Sequence, residues 1–198
     1  MISFMDIAEA NDVEVLTTDY CWDTSKMDDS YSKNAAKGYI SFAAEQRELD
    51  AIPIYPSDPY NMNESSIINL SNAKNFLYLI NPSDNESDFP NTATFLSVLQ
   101  ASNYDVLLID LFFDGTEESE LSASEVAALR AKANGGSRIV LAYMSIGEAE
   151  DYRYYWKSSW NEDNDKPVMN TLKINSAPKM GMPYIRFWLK TPAKLLLF

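Results

Sequence analysis

The sequence predicts an α/β protein with a core of parallel β-strands. The second half of the chain contains apolar runs of strand length at residues 76–80, 105–113 and 138–144, without the alternating polar residues of a half-exposed strand. Such runs are typical of parallel sheets, which are buried on both faces. Helical patterns at residues 94–101 and from residue 122 separate these runs, so the predicted order is β-α-β-α-β.

The first half of the chain predicts shorter elements. Residues 2–10 have a weak helical pattern, and residues 13–20 are rich in β-branched side chains, which favours a strand. The polar residues 21–37 predict turns, and residues 39–44 predict a second strand. Three prolines mark a long loop at 53–72, whose apolar side chains favour an ordered surface loop over an interdomain linker.

Local signals set the bounds of the helix that starts near residue 122. Ser122 and Glu125 have the spacing of a capping box, which satisfies free amide donors at a helix start. Gly135 and Gly136 predict the stop of this helix, because glycine adopts the backbone conformation that ends helices. One more strand is predicted at residues 184–189.

The composition excludes several functions. The chain has 16 Lys and Arg against 29 Asp and Glu, a net charge of −13, so it lacks the positive field that binds nucleic acid or anionic membranes. It has no His, which excludes Ser-His-Asp and Cys-His catalysis and His-ligated metals. No apolar run approaches the ~20 residues of a membrane span. We expect no cofactor and no metal; a carboxylate-only Mg²⁺ or Ca²⁺ site is the weakest alternative.

The densest group of polar and aromatic residues follows the strand at 138–144. Carboxylates that accept hydroxyl protons, a planar arginine donor and stacking aromatic rings together suit a sugar ligand. A charged helix start with a buried aromatic face explains the same residues, and the spacing leaves both interpretations open. The candidates are Tyr143, Glu148, Glu150, Asp151 and Arg153.

Asp110 is the second candidate, since it lies within an apolar strand and is costly to bury without a partner. Parallel strands end at one edge of a sheet, so Asp110 and residues 145–150 are expected near each other at the edge where α/β proteins carry their sites. Arg153 or a backbone amide would be its partner, in a structural role or a functional one.

Three further residues at predicted strands are candidates. Asp19 ends the first strand, and Arg186 and Trp188 lie on the strand at 184–189, where alternate faces of an edge strand explain them as well. The single Cys21 predicts a packed core residue, because no His is present to activate it and no second Cys to pair with it.

Three segments together resemble a known family. Residues 103–110 (NYDVLLID), 132–138 (KANGGSR) and 143–153 (YMSIGEAEDYR) closely resemble glycoside hydrolase family 114, in its bacterial and archaeal branch of TIM-barrel glycosidases. The resemblance covers roughly residues 10–160. Residues 173–178 and 184–188 match the family less well. Characterised members of the family are endo-α-1,4-polygalactosaminidases, which cut galactosamine-rich extracellular polysaccharide.

The resemblance implies the N-terminal portion of a (β/α)8 TIM barrel, incomplete because a whole barrel needs about 250 residues. It divides the single domain, 1–198, into an N-terminal segment at 1–73 and the first βα units of the barrel at 74–198. It also implies a secreted or cell-surface protein, although no signal peptide is visible in this chain.

The resemblance places the catalytic carboxylate pair beyond residue 198 and assigns the candidates above to substrate binding or support of the site. The expected partner is an amino-sugar polysaccharide, and the acidic charge of the chain favours a cationic one. The alternative is a carbohydrate-binding module or pseudo-enzyme without catalysis.

Overall fold

The computed structural model describes residues 2–84, 87–144, 153 and 155–157, and the backbone of 185–187 and 194–197. Four α-helices, two short 3-10 helices and seven strands lie in these ranges. The helices are α1 (Ile2–Glu9), α2 (Thr24–Ala35), α3 (Thr92–Gln100) and α4 (Ala123–Leu129). The strands are β1 (Val13–Tyr20), β2 (Ile40–Ala44), β3 (Phe76–Leu79), β4 (Val106–Ile109), β5 (Ile139–Ala142), β6 (Ile185–Phe187) and β7 (Lys194–Leu197).

The strands form two sheets, and most pairs are parallel. One sheet has the order β2-β1-β7-β6, in which only β6 and β7 are antiparallel. The other has the order β3-β4-β5 and is entirely parallel. A single parallel bridge between Ser41 and Asn75 connects β2 to β3. The predicted α/β class with parallel strands is therefore confirmed, and the described strands do not close into a barrel.

Most predicted elements are present, with shifted ends. The strand predicted at 105–113 stops at Ile109, because the backbone amide of Phe112 turns back to bond the Asp110 carboxylate at 3.0 Å. The predicted capping box is confirmed, with Ser122 and Glu125 exchanging bonds at the start of α4. Strand β7 lies where the sequence predicts no element.

The prediction of turns at 21–37 is wrong, because α2 occupies most of that segment. Asp23 caps this helix by accepting a bond from the amide of Lys26 at 2.9 Å. Only Met27, Ser30 and Tyr31 are buried, so a narrow stripe packs against the sheet and the remaining polar side chains hide the helical period.

The prediction that Gly135 and Gly136 stop the last helix is also wrong, because α4 already ends at Leu129. Gly135 has a φ of +93°, a left-handed conformation that favours glycine. Gly136 is needed for close approach instead: an added Cβ would lie 2.7 Å from the carbonyl oxygen of Glu64 and 2.9 Å from that of Ser65.

We expect Gly136→Ala to lower the free energy of unfolding by about 1–3 kcal/mol, because backbone of the long loop must move to admit the methyl group. Urea unfolding of the purified chain measures this loss. Ala133→Ser, three residues earlier at an exposed position, is the control and should change little. Wild-type stability in Gly136→Ala would show that the backbone of the loop does not restrict the space at residue 136.

The long loop is ordered, as predicted, because it bonds to the amino ends of the strands. Its Asn63 side chain donates to Asp105 Oδ2 at 2.6 Å, and its Asn63 carbonyl accepts from Lys132 Nζ at 2.7 Å. Lys132 Nζ also lies 3.0 Å from Asp105 Oδ1, and both side chains are fully buried. We call Asn63, Asp105 and Lys132 the amino-edge network.

The two faces of the strands have different neighbours. On one face Val15 and Ala43 pack against α1 and α2, and we call this the outer face. Because side chains alternate along a strand, Tyr20, Tyr78 and Leu108 lie on the opposite face, called here the inner face. The helices therefore cover the outer face. The inner face carries Tyr20 and Tyr78 near the carboxyl ends of β1 and β3.

Candidate functional site

A cleft of about 370 Å³ opens at the carboxyl ends of β3 and β4. Because these strands are parallel, the segments that follow them meet at the same edge of the sheet. The cleft is lined by residues after β3 (Ile80, Asn81, Ser83, Asp84), by residues after β4 (Asp110, Phe112, Phe113, Asp114, Gly115) and by Arg153. We call it the carboxyl-edge cleft.

Asp110 and Arg153 form a buried ion pair in this cleft. Arg153 Nη1 lies 2.5 Å from Asp110 Oδ2, with the two side chains 9% and 3% exposed. The other oxygen of Asp110 accepts the amide of Phe112 at 3.0 Å. Both partners that the sequence suggested, the arginine and a backbone amide, are thus present together. They fix the carboxylate in one orientation, with its charge compensated.

Tyr143 lies beside this pair. Its amide donates to the carbonyl of Ile109 at 2.7 Å, which extends the pairing of β4 and β5 by one residue. This places Tyr143 next to Asp110 on the inner face, because both follow residues that pair across the two strands. Three sequence candidates, Asp110, Tyr143 and Arg153, are therefore brought together.

The cleft contains polar residues that sequence reasoning missed. Asp114 accepts the amide and the hydroxyl of Thr116 at 3.0 and 2.6 Å. Hydrogen bonds from the Ser119 and Thr116 hydroxyls lower the pKa of Asp114, so its carboxyl group is ionised at neutral pH. Asp84 and Asn81 contribute from the loop after β3. Their only sequence signal is their place directly after apolar strands.

The structure does not bring Asp19 to the carboxyl-edge cleft. Its Oδ2 accepts Ser30 Oγ at 2.7 Å and Asn34 Nδ2 at 3.0 Å, and both donors belong to α2. Asp19 therefore lies on the outer face, where it joins β1 to α2 and lines a separate groove with Met5 and Trp22. The residue of this segment on the inner face is its neighbour Tyr20.

Cys21 is buried on the outer face against Met27 and Tyr31, as the prediction of a packed core residue requires. Burial raises the pKa of its thiol, so it stays protonated at neutral pH. The candidates Glu148, Glu150, Asp151 and Trp188 lie outside the described residues. The backbone of Arg186 belongs to β6 and pairs with Leu196.

The described ranges contain neither a cluster of metal ligands nor a helix that could cross a membrane. In these ranges no three His, Cys, Asp or Glu side chains are grouped closely enough to hold a metal ion. Nor does any helix there have the length and apolar character needed to cross a membrane.

Three uncharacterized proteins are similar to parts of the chain. One from Methanocaldococcus jannaschii is 42% identical over 33% of this chain and 18% of its own length. One from Thermotoga maritima is 39% identical over 31% and 18%, and one from Deinococcus radiodurans is 36% identical over 37% and 25%. The chain thus matches a quarter or less of each relative. No family model and no solved structure matches it.

Proposed function

We propose that the carboxyl-edge cleft binds a carbohydrate. The buried Asp110–Arg153 pair carries this proposal, because it presents a carboxylate of fixed orientation at the edge of the sheet where α/β proteins bind ligands. A carboxylate oxygen has two lone pairs, so a carboxylate held in one orientation can accept hydrogen bonds from more than one donor. Fixed acceptors of this kind select hydroxyl and ammonium groups.

The charge of the cleft favours an amino sugar. Its lining contains three carboxylates, Asp84, Asp110 and Asp114, and the guanidinium of Arg153. A cleft with this excess of negative charge attracts a cationic polymer such as deacetylated galactosamine. This agrees with the resemblance to polygalactosaminidases, in which the substrate is such a polymer.

We further propose that the chain is part of a (β/α) barrel glycoside hydrolase of the endo-α-1,4-polygalactosaminidase type. The support is the succession of parallel strands in chain order, β1-β2 and β3-β4-β5, with one bridge between them. A barrel in the whole protein requires further strands of the same kind.

A non-catalytic carbohydrate-binding role for this chain is the second candidate. The observation that favours it is the ion pair itself, because Arg153 and the amide of Phe112 both bond to the Asp110 carboxylate and hold it in place as a binding group. In this role Asp110 holds the ligand, and chemistry requires carboxylates elsewhere.

Isothermal titration with galactosamine oligosaccharides tests the proposal. We expect the chain to bind the cationic oligomer about tenfold more tightly than its N-acetylated, uncharged form, since two or more half-exposed charge pairs each contribute up to ~1 kcal/mol. The preference should shrink as salt screens these charges. Equal affinity for both oligomers, or no binding, would contradict the amino-sugar assignment.

Reducing-end release by the same samples separates the two roles. We expect binding without cleavage, as the resemblance places the catalytic pair beyond residue 198. Cleavage that is lost in Asp110→Asn would show instead that this carboxylate takes part in the chemistry.

A further inference from the structure

The aspartates of the carboxyl-edge cleft differ in how their charge is compensated. Asp110 is buried and pairs with Arg153 at 2.5 Å. Asp114 is exposed, and in the described part of the chain it forms no ion pair with a lysine or arginine. Its partners are the neutral groups of Thr116 and Ser119. Asp114 therefore offers an uncompensated negative charge to a ligand in the cleft.

The loop after β4 holds the Asp114 carboxylate in place. Its Oδ1 accepts the amide of Thr116 at 3.0 Å and the hydroxyl of the same residue at 2.6 Å. The backbone amide of Asp114 donates to Ser119 Oγ at 3.1 Å. These bonds orient the side chain before a ligand binds, which lowers the entropy cost of binding. Asp114 is thus a preorganised charged acceptor on the border of the cleft.

Asn81 borders the same cleft from the loop after β3. Its side-chain Nδ2 donates to the carbonyl of Glu48, and its backbone amide donates to the carbonyl of Leu49 at 3.3 Å. Because a carbonyl only accepts, the first of these bonds fixes which end of the side-chain amide is the nitrogen. Asn81 Oδ1 accepts no hydrogen bond from the described residues. Asn81 therefore keeps an oriented acceptor for a ligand.

An ammonium group suits these two acceptors. It carries three N–H donors and no acceptor, so a contact with one carboxylate leaves donors to be satisfied. Asp114 and Asn81 follow neighbouring parallel strands and line one cleft of about 370 Å³, which is near the lower end of ligand-pocket volumes. A single sugar residue in this cleft meets the segments after both strands. N-acetylation removes the charge and leaves one N–H, which weakens the contacts with both residues.

We propose that Asp114 and Asn81 Oδ1 bind the amino group of the sugar and thereby set the preference for the cationic oligomer. The inference rests on the proposed carbohydrate function and names the residues responsible for its charge selectivity. Asp110, whose charge is compensated by Arg153, then accepts hydroxyl groups that the cationic and N-acetylated oligomers share. Asp110 thus controls the affinity for both oligomers, and Asp114 controls the ratio of the two affinities.

Asp114→Asn tests this assignment by isothermal titration with both oligomers. The substitution removes one exposed charge and keeps an oxygen that accepts from Thr116. We expect the ratio of the two affinities to fall from about tenfold to about twofold, because one charge pair with the ligand is lost. The affinity for the N-acetylated oligomer should not change. Asp114→Ser, which is also uncharged, should give the same ratio.

Asn81→Ala tests the second acceptor. We expect the ratio of the two affinities to fall by about threefold, because one hydrogen bond to the ammonium group is lost. The thermal midpoint of unfolding should also fall, since the bond to the carbonyl of Glu48 is removed. A lower midpoint with an unchanged ratio would show that Asn81 only supports the loop, and this would overturn its part in binding the amino group.

Asp23→Asn is the matched control for Asp114→Asn. Asp23 is an exposed carboxylate that accepts the Ser25 hydroxyl at 2.6 Å and the Lys26 amide at 2.9 Å, but it borders the outer-face groove. The ratio should stay at about tenfold in this variant. Asp84→Asn removes another carboxylate of the cleft and should lower the ratio less than Asp114→Asn does. An unchanged ratio in Asp114→Asn, or an equal fall in either comparison variant, would overturn the assignment.

The wild-type chain separates this inference from the proposed function. If it binds neither oligomer, the carbohydrate function and this inference both fail. If it binds the two oligomers equally, the amino-sugar assignment and this inference fail, while the carbohydrate site stands. If it prefers the cationic oligomer and Asp114→Asn keeps that preference, only the assignment of the amino group to Asp114 and Asn81 fails.

Discussion

Replacing Lys132 with methionine is expected to lower the free energy of unfolding by about 3–5 kcal/mol. Lys132 Nζ lies 3.0 Å from Asp105 Oδ1, and neither side chain is exposed to solvent. The substitution leaves the Asp105 carboxylate buried without its cation. The remaining donors to Asp105, the Asn63 side chain and the amide of Lys74, do not carry a compensating charge.

Urea unfolding measures the loss, and two variants serve as controls. The double variant Asp105→Asn with Lys132→Met should recover part of the stability, because the buried carboxylate without its lysine partner is removed. Lys33→Met breaks an exposed pair with Asp29 and should have little effect. If Lys132→Met loses no more than Lys33→Met, the amino-edge network does not stabilise the fold.

Replacing Asp110 with asparagine is expected to reduce the affinity for galactosamine oligosaccharides by about 10- to 100-fold. The change keeps the shape of the side chain but removes a charged acceptor, and hydrogen bonds to charged groups contribute about 1.5–3 kcal/mol each. It also removes the negative charge that pairs with the buried guanidinium of Arg153, so the free energy of unfolding should fall as well.

Asp19→Asn is the matched control for Asp110→Asn. It is the same substitution at another sequence candidate, but Asp19 lies on the outer face and bonds to α2. Isothermal titration should show an unchanged affinity for Asp19→Asn. An equal loss in both variants would indicate that net charge alone, and not the carboxyl-edge cleft, attracts the oligosaccharide.

The two aspartates that flank β4 show what the sequence could and could not predict. Asp105 and Asp110 flank the same apolar strand and belong to the same segment of the family resemblance. Asp105 joins a fully buried network at the amino ends of the strands, and Asp110 lines the cleft at the carboxyl ends. Because the strand runs from the amino edge to the carboxyl edge of the sheet, Asp105 has a structural role and Asp110 lies in the candidate site. The sequence pattern did not reveal the partners of Asp105, which lie 27 and 42 residues away along the chain.

The fold class and the buried strands were predictable because their signal is local. Apolar runs without polar alternation are typical of strands covered on both faces, and β3 and β4 are buried throughout. Strand β5 has the same kind of sequence but is only partly buried. Helix α2 was not predictable in the same way, since a few buried residues per three turns leave a polar sequence. Its cap at Asp23 was the available signal.

The candidate site was predicted in part. Asp110 with Arg153 follows from the cost of a buried carboxylate, which requires a partner. The choice of Asp19 over Tyr20 depends on which face of β1 the helices cover, and this is a property of the packing and not of the strand. A shift of one residue exchanges the two faces, so a sequence pattern alone cannot decide between neighbours.

Nuclear magnetic resonance titration of the ¹⁵N-labelled chain with a galactosamine oligosaccharide tests the central claim most directly. We predict that the amides whose shifts change lie along the carboxyl-edge cleft, at Asn81 and at residues 110–115. Asp110→Asn should abolish these changes at the same oligosaccharide concentration. Changes confined to the outer-face groove around Asp19 and Trp22, or no changes at saturating oligosaccharide, would contradict a carbohydrate site at the carboxyl edge.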